Sequence, residues 1–124
     1  MAAPNLINAT TATGKTAYAT PSNTSANILL ANAASSGKVL KVNMVIAANV
    51  DGTATYAATV AINSKADGSG TSYPMGSTLD VPAKASIVVS DKNSVFYLEE
   101  DRSLVVTSGS ASKIAYTVSY EEIS

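Results

Sequence analysis

Apolar and polar residues alternate along much of the chain with a period of two, which is typical of β-strands that have one buried face. The two longest alternating stretches flank Asp51-Gly52. Before this dipeptide, the apolar face of one predicted strand carries Leu40, Val42, Met44, Ile46, Ala48 and Val50. After it, a second predicted strand carries Ala54, Tyr56, Ala58, Val60 and Ile62. Because Asp-Gly favours tight two-residue turns, the pattern predicts an antiparallel hairpin centred on this dipeptide.

A second hairpin is predicted in the C-terminal third of the chain. The turn sequence TSGSAS, residues 107–112, connects a short apolar run at 104–106 to a strand whose apolar residues are Ile114, Tyr116, Val118 and Tyr120. From the register of both hairpins, we expect a buried core that includes Leu40, Val42, Met44, Ile46, Tyr56, Val60, Ile62, Tyr116 and Val118.

The other apolar runs are short and are separated by turn residues. SANILLANA ends just before a Ser-Ser-Gly turn, and ASIVVSD and SVFYLEE are separated around Asp91-Lys92-Asn93. Pro74 and Pro82 restrict the segment around them to an edge strand or a connection, because proline cannot donate a backbone hydrogen bond. Seven or eight strands and no helix predict an all-β fold, a single antiparallel β-sandwich of immunoglobulin-like or jelly-roll-like type.

The first residues alternate too weakly to define a buried face. They are small, polar and rich in threonine, and Pro4 and Pro21 bound them. We therefore expect residues 1–20 to form an extended N-terminal arm and residues 21–124 to form the sandwich. A neighbouring subunit or another protein is the expected support of such an arm, because a free segment of this composition is usually disordered.

Composition excludes several classes of function. The chain has 124 residues, a net charge of −1 and only 14% charged residues, so we expect one domain that binds neither nucleic acid nor a membrane. Cysteine and histidine are both absent, which removes disulfides, thiolate metal sites and the usual proton shuttle at neutral pH. The N-terminus has no basic start and no long apolar run, so we expect synthesis and folding in a cytoplasm.

Three short motifs resemble parts of known active sites. Gly14-Lys15-Thr16 matches the end of a phosphate-binding loop, but Ala9 replaces the first glycine and no helix is predicted to follow. Ser110 and Lys113 have the spacing of acylating serine enzymes, but that spacing requires a helix. Glu99-Glu100-Asp101 could form a calcium site or an acid/base pair, but neighbouring residues of a strand point to opposite faces. We therefore expect no catalytic, cofactor or metal site, and no dependence on metal or nucleotide.

Two further patterns suggest carbohydrate. The six tyrosines could line a sugar-binding face: Tyr18, Tyr56, Tyr73, Tyr97, Tyr116 and Tyr120. Three of them, Tyr56, Tyr116 and Tyr120, lie on apolar strand faces and are better explained as core residues. Asn8 and Asn23 begin Asn-x-Ser/Thr triplets, the acceptor sequence for N-glycosylation. We attribute these triplets to the threonine-rich composition.

The sequence resembles small structural proteins of tailed phages, especially myoviruses of marine cyanobacteria. The similar segments are Ala48-Asn49-Val50-Asp51-Gly52, Val81-Pro82-Ala83, Tyr97-Leu98-Glu99-Glu100 and the closing VSYEEIS, and together they extend over almost the whole chain. These segments are features of strands and turns and not of catalysis, so the resemblance provides no site residue.

The resemblance implies a non-enzymatic virion structural protein that is assembled in the host cytoplasm. A capsid decoration or cement protein is the leading expectation, with the major capsid protein or other virion proteins and its own copies as partners. A homo-oligomer is expected, and a trimer is favoured by analogy with threefold decoration sites. The alternatives are a neck, tail or fibre component and a glycan-binding module on the virion surface.

Overall fold

The computed structural model describes residues 6–124, and within them it contains only β-strands, turns and one 3₁₀ turn at Lys92–Ser94. The predicted all-β class is confirmed, with nine strands where seven or eight were expected. The strands are β1 (Ala12–Ala19), β2 (Asn27–Asn32), β3 (Val39–Asn49), β4 (Tyr56–Asn63), β5 (Ser72–Val81), β6 (Ser86–Ser90), β7 (Phe96–Leu98), β8 (Arg102–Ser108) and β9 (Ile114–Ile123).

The strands form two antiparallel sheets. In the first sheet the order is β1-β9-β3-β6, and β7 pairs with β3 beyond the end of β6. In the second sheet the order is β2-β8-β4-β5. Both sheets contribute to one apolar core, as expected for a β-sandwich. Its buried members are Leu29, Leu30, Leu40, Val42, Val45, Ala47, Ala58, Val60, Val81, Leu98, Leu104, Val106, Ile114, Tyr116 and Val118.

Neither predicted hairpin is present. The strands on either side of Asp51-Gly52, β3 and β4, lie in different sheets, and so do β8 and β9. Gly37 and Gly68 are the glycines of residues 6–124 with positive φ, so Gly52 does not adopt the conformation of a tight hairpin turn. The Asp51 carboxylate instead accepts hydrogen bonds from the Thr53 and Ala54 amides. This local turn carries the chain across the sandwich, where β4 buries its apolar face against the same core from the opposite side.

A β-bulge in β3 makes part of the predicted core wrong. Val42 pairs with Tyr120 of β9, but the next pair joins Met44 to Ser119, so one extra residue lies between them. Such a bulge reverses which face each later residue points to. Val45 and Ala47 are therefore fully buried, whereas Met44 and Ile46 lie on the partly exposed outer face.

The other expected core residues do belong to the core. Leu40 is buried, four more of these residues are completely buried, and the remaining two are partly buried and pack against the core. The completely buried residues are Val42, Val60, Tyr116 and Val118, and the packed ones are Tyr56 and Ile62. The predicted position of Pro74 is also confirmed, because β5 is an edge strand of the second sheet.

Part of the segment assigned to an N-terminal arm has a partner in the same chain. Ala12–Ala19 pairs with β9 along its whole length, and the Thr10 and Thr11 amides donate to the Ser124 carbonyl. This stretch is therefore an edge strand of the first sheet, and the expected support from another chain is not needed to hold it. Residues 1–5 of the predicted arm lie outside the described residues.

Three buried asparagines end strands and hold the connections that follow. Asn32 donates to the Lys38 and Leu98 carbonyls, and Asn49 donates to the Ala54 and Val81 carbonyls. Because Leu98 and Val81 belong to the sheet opposite their donor, these carboxamides join the two sheets at opposite ends of the sandwich.

The third asparagine, Asn63, closes the long connection between β4 and β5 over the outer face of the second sheet. Its amide donates to the Gly68 and Gly70 carbonyls, and its oxygen accepts from the Lys65 and Gly70 amides. The connection covers Val105, which is only 5% exposed on this outer face. One carboxamide therefore supplies most of the polar partners that this connection needs.

The bulge predicts opposite outcomes for adjacent substitutions in β3. Val45→Asp should destabilise the fold by at least about 4 kcal/mol, because it places an unpaired carboxylate in the core. Met44→Asp should cost no more than about 1 kcal/mol, since its side chain lies on the outer face. Urea unfolding followed by far-ultraviolet circular dichroism measures both. A larger loss of stability in Met44→Asp than in Val45→Asp would mean that buried and exposed residues alternate along β3 without interruption, and it would contradict the bulge.

The buried carboxamides predict a second result. Asn49→Leu should destabilise the protein by about 2–4 kcal/mol, because the Ala54 and Val81 carbonyls and the Asp51 amide lose their partners. Asn93→Leu, at an exposed position in the 3₁₀ turn, is the matched control and should be nearly neutral. Equal unfolding free energies for the two variants would show that Asn49 does not hold the sheets together.

Candidate functional site

The candidate site is a pair of adjoining open grooves on the outer face of the first sheet. The larger groove has a volume of about 470 Å³ and runs under the segment before β1. The smaller one, of about 320 Å³, extends toward the 3₁₀ turn. Lys41 and Glu121 line both grooves. The outer faces of β9 and β3 therefore form a common floor.

Strand register brings four distant residues together on this floor. Gly14 of β1 lies opposite Glu121 of β9, Glu121 lies opposite Lys41 of β3, and Lys41 lies opposite Tyr97 of β7. Gly14 has no side chain and nothing lies within 4 Å of where a Cβ would be, so the β1 end of this row is open. Tyr97 closes the other end and is 45% exposed.

Among residues 6–124, Lys41 and Glu121 form the only ion pair on the floor of the grooves. The Lys41 Nζ atom lies 3.7 Å from Glu121 Oε2, and both side chains are more than a third exposed. An exposed pair of this kind contributes about 0–1 kcal/mol, so either group can exchange its partner for a ligand at little cost. With the Tyr97 ring beside it, the row can bind a polar ligand that offers hydroxyl groups and a flat apolar side.

Sequence reasoning did not find this row. Lys41 and Glu121 are distant in sequence, and their proximity depends on β9 lying between β1 and β3. The incorrect C-terminal hairpin placed β9 beside β8. No local signal in the sequence identifies Glu121 as the neighbour of Lys41.

The motif Gly14-Lys15-Thr16 lies in the middle of β1, and no helix follows it. Lys15 points to the opposite side of the sheet from Gly14. Its Nζ atom is 3.1 Å from Glu122 Oε2, and Lys38 Nζ is 3.4 Å from the other carboxylate oxygen. The hydrogen bond from Lys15, reinforced by Lys38, holds the pKa of Glu122 below its usual range. Lys15 is therefore part of a charge cluster at the rim of the sandwich.

The acidic residues at 99–101 do not converge. Asp101 accepts hydrogen bonds from the Ala66 amide and from Lys65, and these hold its pKa below the usual range. Glu100 accepts from the Gly37 amide on another connection, and Glu99 is exposed. Among the described residues, no group of three or more potential metal ligands lies close enough together to hold an ion.

Lys113 belongs to a second structural cluster. Its Nζ atom donates to Asp51 Oδ1 at 3.0 Å. This hydrogen bond raises the pKa of Lys113 and is the largest cause of the lowered pKa of Asp51, which also accepts from Thr53 and Ala54. Lys113 is thus a protonated partner of the Asp51 carboxylate, and no hydrogen bond within residues 6–124 joins it to Ser110.

The six tyrosines divide between core and surface. Tyr116 is completely buried, its hydroxyl donates to the Thr107 carbonyl, and burial raises its pKa. Tyr56 and Tyr120 pack against the core, as expected. The exposed Tyr18 and Tyr97 lie at opposite edges of the first sheet, on β1 and β7, and the exposed Tyr73 lies on β5 of the second sheet, so the exposed tyrosines do not form one cluster. Asn8 and Asn23 are both exposed.

Comparisons with known proteins give no relative. The chain matches no model of a protein family, and no curated protein is significantly similar to it. The described part of the chain has no helix that is long and apolar enough to cross a membrane.

The carboxylate clusters predict how stability depends on pH. The pKa values of Asp51, Asp67, Asp101 and Glu122 are lower in the folded chain than their ordinary values. Such groups stabilise the fold above their unfolded pKa of about 4, and this contribution is lost as the pH falls through their folded pKa. With no histidine, the unfolding free energy should be nearly constant from about pH 5 to 8 and should decrease below about pH 4.

Asp51→Asn tests the largest of these contributions. The variant should be less stable than the wild type at pH 7, and the two should converge at low pH, where Asp51 becomes protonated. Asp80→Asn, at an exposed position of β5, is the matched control and should follow the wild type throughout. Urea unfolding at a series of pH values measures the curves. A constant difference at all pH values would contradict the role of the Asp51 charge.

Proposed function

We propose that this protein is a non-enzymatic structural component of a tailed-phage virion, a capsid decoration or cement protein that binds the shell and its own copies. Its place of action is then the virion, assembled in the host cytoplasm. The sequence resemblance supports this proposal, and the order of the strands is the structural observation that carries it.

We infer a jelly-roll topology from that order. β6 and β7 lie in succession along the same side of β3, interrupted only by residues 91–95, so they count as one strand. Each sheet then has four strands, in the orders β1-β9-β3-β6/β7 and β2-β8-β4-β5. A double sheet in this order is the jelly roll, an architecture that is used in viral capsid and lectin domains.

The outer face of the first sheet supports a role in assembly. One row of cross-strand neighbours spans the sheet, from Tyr18 through Thr117 and Ile46 to Val88. None of these side chains is charged, and Tyr18 and Val88 are 79% and 57% exposed. An uncharged row with exposed apolar side chains at both ends suits a fixed contact with another protein better than it suits a freely diffusing monomer. We propose this row as the contact with the shell.

A glycan-binding module is the second candidate, and Tyr97 is the observation that favours it. Its exposed ring stands beside the Lys41–Glu121 pair at the edge of the groove. Sugar rings bind through an apolar side stacked on an aromatic ring and through hydroxyls that contact charged groups. In this reading the protein would attach the virion to a host surface.

Localisation in virions tests the proposal. Purified protein is added to tailed-phage particles that lack it and is located by antibody labelling in the electron microscope. We expect label over the whole icosahedral shell, and loss of it in Ile46→Lys but not in Tyr73→Lys, which alters the second sheet. Label at one vertex or on the tail would favour a neck, tail or fibre component. No label, together with glycan binding that Tyr97→Ala abolishes, would replace the proposal with the second candidate.

A further inference from the structure

The four edges of the two sheets differ in how well they are protected against pairing with another strand. β5 contains Pro74 and two register shifts, and the edge formed by β6 and β7 is interrupted by the 3₁₀ turn that contains Lys92. β2 has six residues and a register shift after Ile28. These devices are the ones by which proteins prevent edge-to-edge association.

The edge of β1 has none of these interruptions. Ala12–Ala19 pairs with β9 over eight residues without a register shift and contains no proline. Its one charged side chain, Lys15, turns toward Glu122 of its own sheet. Within residues 6–124, no further strand pairs beyond β1. Within residues 6–124, the longest regular edge is thus the one that carries none of the devices that prevent pairing.

The free backbone groups of this edge follow from the pairing with β9. Thr11 and Ser124 exchange both of their backbone hydrogen bonds, so they form a hydrogen-bonded pair of the antiparallel ladder. Such pairs alternate along the strands, and Thr13, Lys15, Ala17 and Ala19 are therefore the residues that bond to β9. The N–H and C=O groups of Ala12, Gly14, Thr16 and Tyr18 consequently point away from the sheet, toward solvent.

We propose that two copies of the chain pair through β1, antiparallel and across a twofold axis at Thr16. In this register Thr16 forms a hydrogen-bonded pair with Thr16 of the partner subunit, and Tyr18 lies opposite Gly14 of the partner subunit. The exposed Tyr18 ring then covers the open space above that glycine. An aromatic ring across from an edge glycine is a stabilising cross-strand pair.

Charge selects this register over its neighbour. An axis at Lys15 would pair all four free residues of each strand, whereas the axis at Thr16 pairs three of them, Gly14, Thr16 and Tyr18. The axis at Lys15 would, however, place two ammonium groups directly opposite each other, which is destabilising. With the axis at Thr16, Lys15 lies opposite Ala17 of the partner subunit. The twofold contact uses the open edge of both copies, so association closes at two. The contact predicts a dimer, in place of the trimer that the resemblance favours.

This inference specifies how copies of the proposed virion protein contact each other, but its test uses the isolated protein and does not depend on a virion. Light scattering coupled to size exclusion should give a dimer for the wild type. Thr16→Pro should give a folded monomer, because the Thr16 N–H faces solvent and is not needed by β9. A wild-type monomer or trimer, or a dimer that folded Thr16→Pro leaves intact, would overturn the proposal.

A crosslinking experiment tests the register even if Thr16→Pro does not fold. The chain has no cysteine, so Thr16→Cys introduces a single thiol. A short thiol-reactive crosslinker should join two copies of Thr16→Cys efficiently, because the two positions face each other at the axis. Tyr73→Cys, exposed on the β5 edge, is the matched control and should crosslink poorly. Equal crosslinking of the two variants would contradict the β1 contact.

Discussion

The burial of backbone polar groups where strands end is the constraint on which the rest of this structure depends. A sandwich whose connections cross between sheets leaves carbonyls and amides facing the core at both ends. Asn32 and Asn49 satisfy them with carboxamides that reach the opposite sheet, and Asn63 does the same for the connection folded over the second sheet. A carboxamide is suited to this task because it donates and accepts at once and carries no charge to desolvate. No buried side-chain nitrogen or oxygen of the described residues lacks a partner.

The sequence was sufficient to predict most of the strands, but not β1 and not the sheets to which the strands belong. Alternation is a local property, so it located β3, β4 and β9, and proline identified β5 as an edge. The hairpins were wrong because Asp51-Gly52 can also form a wider turn held by the Asp51 carboxylate, and the choice depends on a core that other strands complete. The bulge in β3 was hidden for a similar reason, since Met44 and Val45 are both apolar and either could be buried.

The same limit applies to the candidate site. The Lys41–Glu121–Tyr97 row exists only because β9 lies between β1 and β3, whereas the motifs visible in the sequence are dispersed by the fold. Several of the charged groups stabilise turns or rims: Asp51 bonds to Lys113, Asp101 to Lys65 and Glu122 to two lysines. The side chains in these pairs have partners within the chain, so their first role is structural.

The position of β9 also links recognition to the completion of folding. β1 is complete at residue 19, but its partner β9 begins at residue 114. Until then β1 is a flexible segment of small and polar residues, and pairing it with another chain would require ordering it at an entropic cost. Docking on β9 orders the backbone of β1 and aligns the groups along its edge. In the proposed dimer, only a copy that has finished folding would therefore present this edge, and incomplete chains would be kept out of the pairing by their own disorder.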